Sequence, residues 1–225
     1  PNLFIHGKEM KSIESDKYLG DILANDDKNG QNITSKVVKG MGIVTQIMNL
    51  LNDISLGTRY FEVAMALRES MFVNGVLTNL EVAYGLNKED IIELEKVDEM
   101  LLRKILSASC STPKEALYLE LGCQPIRYAI ISRRLNYLHH IMTRPADSLL
   151  LNFFNAQIMC PVKDDWIYTV KENLNEVDIN LDMETIKTIS KHRFGKLVRK
   201  SVKKAALILS LIHISEPTRP LYISY

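Results

Sequence analysis

Ile33, Val37, Met41, Val44, Ile47 and Leu51 recur at spacings of three and four, the period of a helix with one apolar side. Asn32, behind the turn cluster Asp26-Asp27-Lys28-Asn29-Gly30, is the expected N-cap of this first helix. A second stripe, Tyr60, Ala64, Leu67 and Met71, follows a start at Ser55. A third, Ile91, Leu94, Val97, Leu101 and Ile105, follows Asn87 with Glu89 and Asp90 in its first turn, where the helix dipole favours acids. Three helices with short joins predict a bundle. Gly40 and Gly42 each cost the first helix about 1 kcal/mol relative to alanine; close packing against a neighbour or a ligand is the usual compensation.

Thr112-Pro113-Lys114-Glu115 has the form of a capping box with proline at the first helical position, and Gly122 ends that short helix. Gln124-Pro125 opens the next, with Ile126, Ile130, Leu138 and Met142 inward and Pro145 as its stop. Ser148 to Met159 is a further helix, broken at Cys160-Pro161. Trp166, Val170 and Leu174 share a face behind a cap at Asp164. Asp182 is the expected cap of a basic helix with Ile186, Ile189, Leu197 and Val198 inward. Only the N-terminus alternates in a strand-like way: Leu3-Phe4-Ile5, a turn at His6-Gly7-Lys8, a return over Met10–Ile13, then Tyr18–Leu23. The fold class is therefore mainly α, an N-terminal β-hairpin followed by a helical bundle and further helices.

Composition is that of an ordinary globular chain, 225 residues, 46% hydrophobic and 24% charged. The net charge of +1 hides an uneven distribution. Residues 1–186 carry 19 Lys and Arg against 26 Asp and Glu, a balance of −7, whereas 187–204 carry eight Lys and Arg and no acid. Such a block points to an anionic partner or to a solvated helix face. Three widely spaced cysteines, Cys110, Cys123 and Cys160, form no disulfide framework, which fits an intracellular setting, nucleus or cytoplasm. No apolar run is long enough to span a bilayer.

Several segments together carry a family likeness. Tyr18-Leu19-Gly20 resembles the hairpin that closes the palm of non-LTR (LINE-like) retrotransposon reverse transcriptases. Glu81-Val82-Ala83-Tyr84-Gly85 is similar to the family's E-x-W-Y-G segment, with Ala83 where tryptophan is usual. Leu94-Glu95 through Leu102-Arg103-Lys104-Ile105-Leu106 resembles its leucine-rich thumb helix. Thr112-Pro113, Leu117, Glu120, Gly122, Pro125-Ile126 and Ser132-Arg133-Arg134-Leu135 are similar to the segment after the thumb. The resemblance spans about residues 1–204 and implies a division: 1–31, end of palm and primer-grip hairpin; 32–107, thumb bundle; 108–206, a post-thumb helical region with its basic helix at 183–204.

The resemblance implies an RNA-directed DNA polymerase whose thumb holds the primer–template, an RNA–DNA or DNA duplex, during target-primed synthesis. This chain would be a fragment that docks on the rest of the polymerase, and its start at Pro1 fits a cut. No Tyr/Phe-x-Asp-Asp occurs, and Asp26-Asp27 and Asp164-Asp165 lack the apolar strand setting of that motif. Nucleotidyl transfer needs two carboxylate-bound cations about 4 Å apart. No catalytic or metal-binding residue is therefore assigned, no cofactor is expected in this fragment, and Mg²⁺ belongs to the missing palm. Alone, the chain is not expected to polymerise.

Tyr18, Leu19 and Gly20 are the candidate primer grip. Ser35, Lys36 and Lys39 lie on one polar side of the first helix, and Arg127, Arg133, Arg134, His140 and Arg144 stud the Pro125 helix without an acid. With Lys196, Arg199, Lys200 and Lys203 of the basic helix, these are the candidate nucleic-acid contacts. Two other readings remain: a freestanding helical nucleic-acid-binding module, and a helical protein-interaction domain whose basic helix is merely solvated. His139-His140 with Cys110 or Cys123 lacks zinc-ligand spacing, and no third residue orients a Cys–His pair. Finally, Leu209–Arg219 resembles the translation of a sequencing-library adaptor, so 207–225 is expected to lie outside the natural protein and outside the fold.

Overall fold

The computed structural model describes residues 4–5, 8–9, 15–18, 21–24, 29–53, 55–83, 86–160, 162 and 165–215, of which 4–5, 8–9, 18, 23–24 and 212–215 are described in their backbone alone. Two antiparallel hairpins lead into helices. β1 (Phe4–Ile5) pairs with β2 (Lys8–Glu9), and β3 (Ser15–Tyr18) pairs with β4 (Asp21–Ala24) in the register Tyr18↔Asp21. The return strand thus lies at Lys8–Glu9. The expected strand over Met10–Ile13 and the turn at Asp26-Asp27-Lys28 fall outside the described residues. The class expected from sequence, mainly α with a hairpin at the N-terminus, is what the chain adopts.

α1 (Gly30–Asp53) buries Ile33, Lys36, Gly40, Val44, Ile47 and Leu51. Val37 and Met41, expected inside, lie at the edge and on the surface, because the buried row is shifted by one position. Asn32 is not the cap. It sits inside the first turn, buried, where its Oδ1 accepts the Ile22 N–H at 3.3 Å and ties β4 to the helix. The second helix starts at Tyr60 rather than Ser55, after a 3₁₀ turn at Gly57–Arg59. α2 (Tyr60–Leu67) runs through a π-helical turn at Arg68–Val73 into α3 (Asn74–Val76). Such widened turns shift the side-chain phase within one helix; here Arg68, Phe72 and Val73 turn inward together.

α4 (Lys88–Leu106) begins with a full capping box. Asn87 Oδ1 accepts the Asp90 N–H at 2.7 Å and Asp90 Oδ2 accepts the Asn87 N–H at 3.1 Å. α1, α2–α3 and α4 close a first core around Ile47, Phe72, Leu77, Leu94 and Leu101. Gly40 packs into it, since a Cβ there would lie 3.2 Å from Val97 and 3.3 Å from both Phe72 and Val76; Gly42 faces open space.

α5 (Lys114–Glu120) has no side-chain cap: Pro113 occupies that position, and the Thr112 carbonyl accepts from Arg103 Nη2 at 3.1 Å instead. Gly122, at φ +61°, ends the helix. α6 (Ile126–Met142) is the spine of the molecule, with Ile126 and Ile130 in the first core and Tyr128, Ile131, Leu135 and Leu138 in a second. The second core is closed by α7 (Leu149–Met159), α8 (Trp166–Glu176), α9 (Met183–Thr188) and α10 (Lys191–Ser215). Asp165 caps α8, its Oδ1 accepting the Tyr168 N–H at 2.6 Å; the expected cap, Asp164, lies outside the described residues.

The basic segment is two helices. Asp182 caps only α9, and the backbone is extended at Ile189 before α10 begins. α10 buries Phe194, Val198, Val202, Ala206 and Ser210 and continues past 207 to Ser215. Over 207–215 the helix continues where the end of the fold was expected, since its buried residues fall four apart on one row and no glycine or proline interrupts it there; 216–225 lie outside the described residues. No described helix is long and apolar enough to cross a membrane.

Candidate nucleic-acid interface

Of the primer-grip residues, Tyr18 ends β3; Leu19 and Gly20, like Tyr84 and Gly85, lie outside the described residues. Lys36, assigned to the surface, is buried. Its Nζ donates to the Thr78 carbonyl and lies 2.7 Å from Asp21 Oδ1, so this lysine joins the hairpin to the end of α3. Lys39 is exposed and donates to the Gly75 carbonyl at 2.8 Å.

The row of outward arginines expected on α6 is not formed. Arg127 ion-pairs with Glu176. Arg133 donates to the Leu77 carbonyl at 3.2 Å and to Asn74 Oδ1 at 2.5 Å. Arg134 is only 2% exposed and donates from Nη2 to the Ala83 carbonyl at 2.9 Å, while its Nε has no partner. Burial lowers its pKa to about 10. Trp166 Nε1 donates to the Glu81 carbonyl at 2.8 Å. Three side chains from α6 and α8 therefore grip the backbone that follows α3. They satisfy the carbonyls of Leu77, at the end of α3, and of Glu81 and Ala83 in the turn that follows.

Arg144 is exposed and near His140, Nη2 to Nε2 2.6 Å; burial, then the charges of Arg144, Lys191 and His139, lowers the His140 pKa. His139 is committed to the fold, with Nε2 2.8 Å from the Ile189 carbonyl and its ring stacked on Phe194. Burial pushes the Cys123 thiol up to about 11, which makes it a poor nucleophile. Among the described residues no group of three or more His, Cys, Asp or Glu could hold a metal ion.

Sequence reasoning missed a buried charged cluster between α2–α3, α4 and α5. Arg68 makes a two-pronged contact with Asp98, Nε to Oδ1 2.7 Å and Nη2 to Oδ2 2.6 Å, and Nη2 also reaches the Gln124 carbonyl at 3.0 Å. Burial alone would lower the Arg68 pKa, but the Asp98 charge and hydrogen bonds hold it above the ordinary arginine range. Beside it, burial raises both Glu95 and Tyr118, and neither Glu95 Oε1 nor the Tyr118 hydroxyl has a hydrogen-bond partner. Lys114, 3.9 Å from Glu95, offsets this only in part.

A carboxyl whose folded pKa is raised binds protons more tightly in the native state, so stability falls as pH rises through that pKa. Glu95→Gln is accordingly expected to stabilise the protein at pH 7. The gain should vanish as pH drops to the ordinary carboxylate range. Denaturant melts at pH 7 and pH 4.5 check this; equal gains at both would contradict it.

Among the described residues, two exposed surfaces stand out. One is the outward side of α1: Thr34, Val38, Met41, Gly42, Thr45, Gln46 and Asn49 are all exposed, and α1 carries no acid before Asp53. The other is the outward side of α10, where Lys196, Arg199, Lys200 and Lys203 are all exposed. Comparison with protein-family models, with curated proteins and with solved structures gives no match.

Proposed function

We propose that this chain is the thumb and following helical region of a non-LTR retrotransposon reverse transcriptase, and that α1 holds the primer–template hybrid. The observation that carries the reading is the outward side of α1. It is uncharged from Thr34 to Asn49 apart from Lys39 at its margin, small at Gly42 and Thr45, and supplied with side-chain hydrogen-bonding groups at Gln46 and Asn49. A wide, shallow minor groove, as in A-form duplexes, displays 2′-hydroxyls and base edges. A helix with a bare glycine and short polar side chains can lie against such a groove without burying an unpaired charge. Lys39 at the edge is within reach of a flanking phosphate.

The order of the similar segments supports the same reading: hairpin, then α1, then the Glu81 segment, then α4, then the Pro113 and Pro125 helices. The whole polymerase would supply the paired aspartates and Mg²⁺ from its palm, and this part would supply grip. The primer-grip role of Tyr18, Leu19 and Gly20 belongs to this reading.

Gly42 gives a direct test, because a side chain there meets nothing within 4 Å. Gly42→Glu is expected to weaken binding of an RNA–DNA hybrid at least tenfold, with Gly42→Ala close to the parent protein. Neither change should lower the melting temperature. If the glutamate variant binds the hybrid as tightly as the parent, α1 is not the contact surface.

A further inference from the structure

The basic side of α10 faces away from α1. α1 packs on α4, α4 on α5 and α6, and α10 on α5 and α6. Two layers of helix, each about 8–10 Å from the next, thus stand between the axes of α1 and α10. Phe194, Val198, Val202 and Ala206 turn α10 inward, so Arg193, Lys196, Lys200 and Lys203 point outward on the opposite side. From Arg193 to Lys203 this row is about 15 Å long at 1.5 Å per residue.

Its charge is almost uncompensated. Among the described residues, the ion pairs give α10 a single acidic partner, Asp178, which takes Lys204 at 3.3 Å. Arg199 merely reaches the Gly195 carbonyl of its own helix at 3.4 Å. Beside the row, α6 and α10 leave a groove lined by Ser132, Asn136, Lys191, His192, Gly195 and Arg199. Gly195 lies beside Asn136 here, a Cβ at that position being 3.4 Å from Asn136 Oδ1. The groove thus adds hydroxyl and amide groups to the cations. Its lining includes no Phe, Tyr or Trp, the rings on which unpaired bases most often stack; its one ring is the His192 imidazole.

We infer that the outer side of α10 is a second, independent nucleic-acid surface, reading the phosphodiester backbone of a duplex other than the one on α1. Cations in a row with hydrogen-bonding neighbours make a sequence-independent backbone contact. The contact itself stands apart from α1, since no residue is shared; that its duplex is a second one rests on the α1 reading. A chain with both surfaces can hold two duplex segments at once.

The probe is a DNA duplex of about 20 base pairs, titrated against the full chain at several salt concentrations. The triple variant Lys196→Gln, Lys200→Gln, Lys203→Gln is compared with Gly42→Glu. Three lost phosphate contacts should flatten the salt slope by about 2.7, at about 0.9 per phosphate, and weaken binding at 0.1 M salt by about two to three decades. The melting temperature should not change, because these side chains are exposed. Gly42→Glu should leave this binding intact, and the triple variant should still bind the RNA–DNA hybrid through α1. An unchanged slope and affinity in the triple variant would overturn the inference. So would preferential loss of single-strand binding, or heparin binding with no measurable duplex binding by the parent chain. Loss of hybrid binding in Gly42→Glu with α10 binding intact, or the converse, separates failure of one surface from failure of the other.

Discussion

Replacing Arg68 by methionine is expected to lower the melting temperature by roughly 6–20 °C. The side chains of Arg68 and Asp98 are 5% and 0% exposed, and Asp98 is held by both prongs of the guanidinium. Removing one partner of a buried pair leaves an uncompensated charge in the interior, at a cost of about 3–5 kcal/mol. In a domain of this size each kcal/mol moves the midpoint by about 2–4 °C. The double variant Arg68→Met, Asp98→Leu should recover most of the loss, since no lone charge is then buried. A single variant that melts within 2 °C of the parent would contradict the account. Arg134 should behave differently. It is equally buried but has one carbonyl partner and no counter-ion, so Arg134→Met removes a desolvated charge together with its bond.

Gly40→Leu is the second large effect, with a loss of about 1–3 kcal/mol or more from overpacking. Val97, Phe72 and Val76 already stand 3.2–3.3 Å from where a Cβ would be, and all three are core residues. Gly42→Leu, two residues on, should instead be neutral or stabilising by up to about 1 kcal/mol, because it gains helix propensity in open space. Thermal melts of the two variants side by side test the assignment of inner and outer faces on α1. Equal losses would mean that both faces are packed.

Much of this architecture can be read from residue spacing alone. The stripes of α4, α6 and α8, the Asn87 cap, the stop at Gly122 and the mainly helical class all follow from apolar periodicity and local capping chemistry. The α1 stripe was displaced because two rows compete there. Ile33, Val37, Met41 and Val44 form one, while Ile33, Lys36, Gly40 and Val44 form the other, and the helix buries the second. A lysine and a glycine look wrong for a core until Asp21 and the Thr78 carbonyl are found for the one and Phe72 for the other. All three partners are distant in sequence.

The same reason explains the arginines. Ile130, Arg134 and Leu138 fall four apart on one buried row, so spacing places Arg134 inside. It cannot name the Ala83 carbonyl that receives it. Asp98 sits likewise among Leu94, Leu101 and Leu102, and its partner lies thirty residues away on a π-helical turn that no periodicity announces. Polar residues in an apolar row signal that a partner exists; only the fold identifies it. The cations of α10 were legible as a block free of acids. Their division from α9 at Ile189 was not, because the Asp182 cap continues smoothly into an apolar stripe on paper.

On the proposed reading, the outward side of α1 lies against a primer–template hybrid. A photo-activatable phenylalanine analogue placed at Thr45 tests it most directly, with the same group at Leu149 on α7 as the reference. Both positions are exposed, so neither insertion should disturb folding. On irradiation with an RNA–DNA hybrid, the group at position 45 is expected to cross-link to the nucleic acid, and cross-linking should disappear in the Gly42→Glu background. Cross-linking from position 149 with none from position 45 would contradict the account.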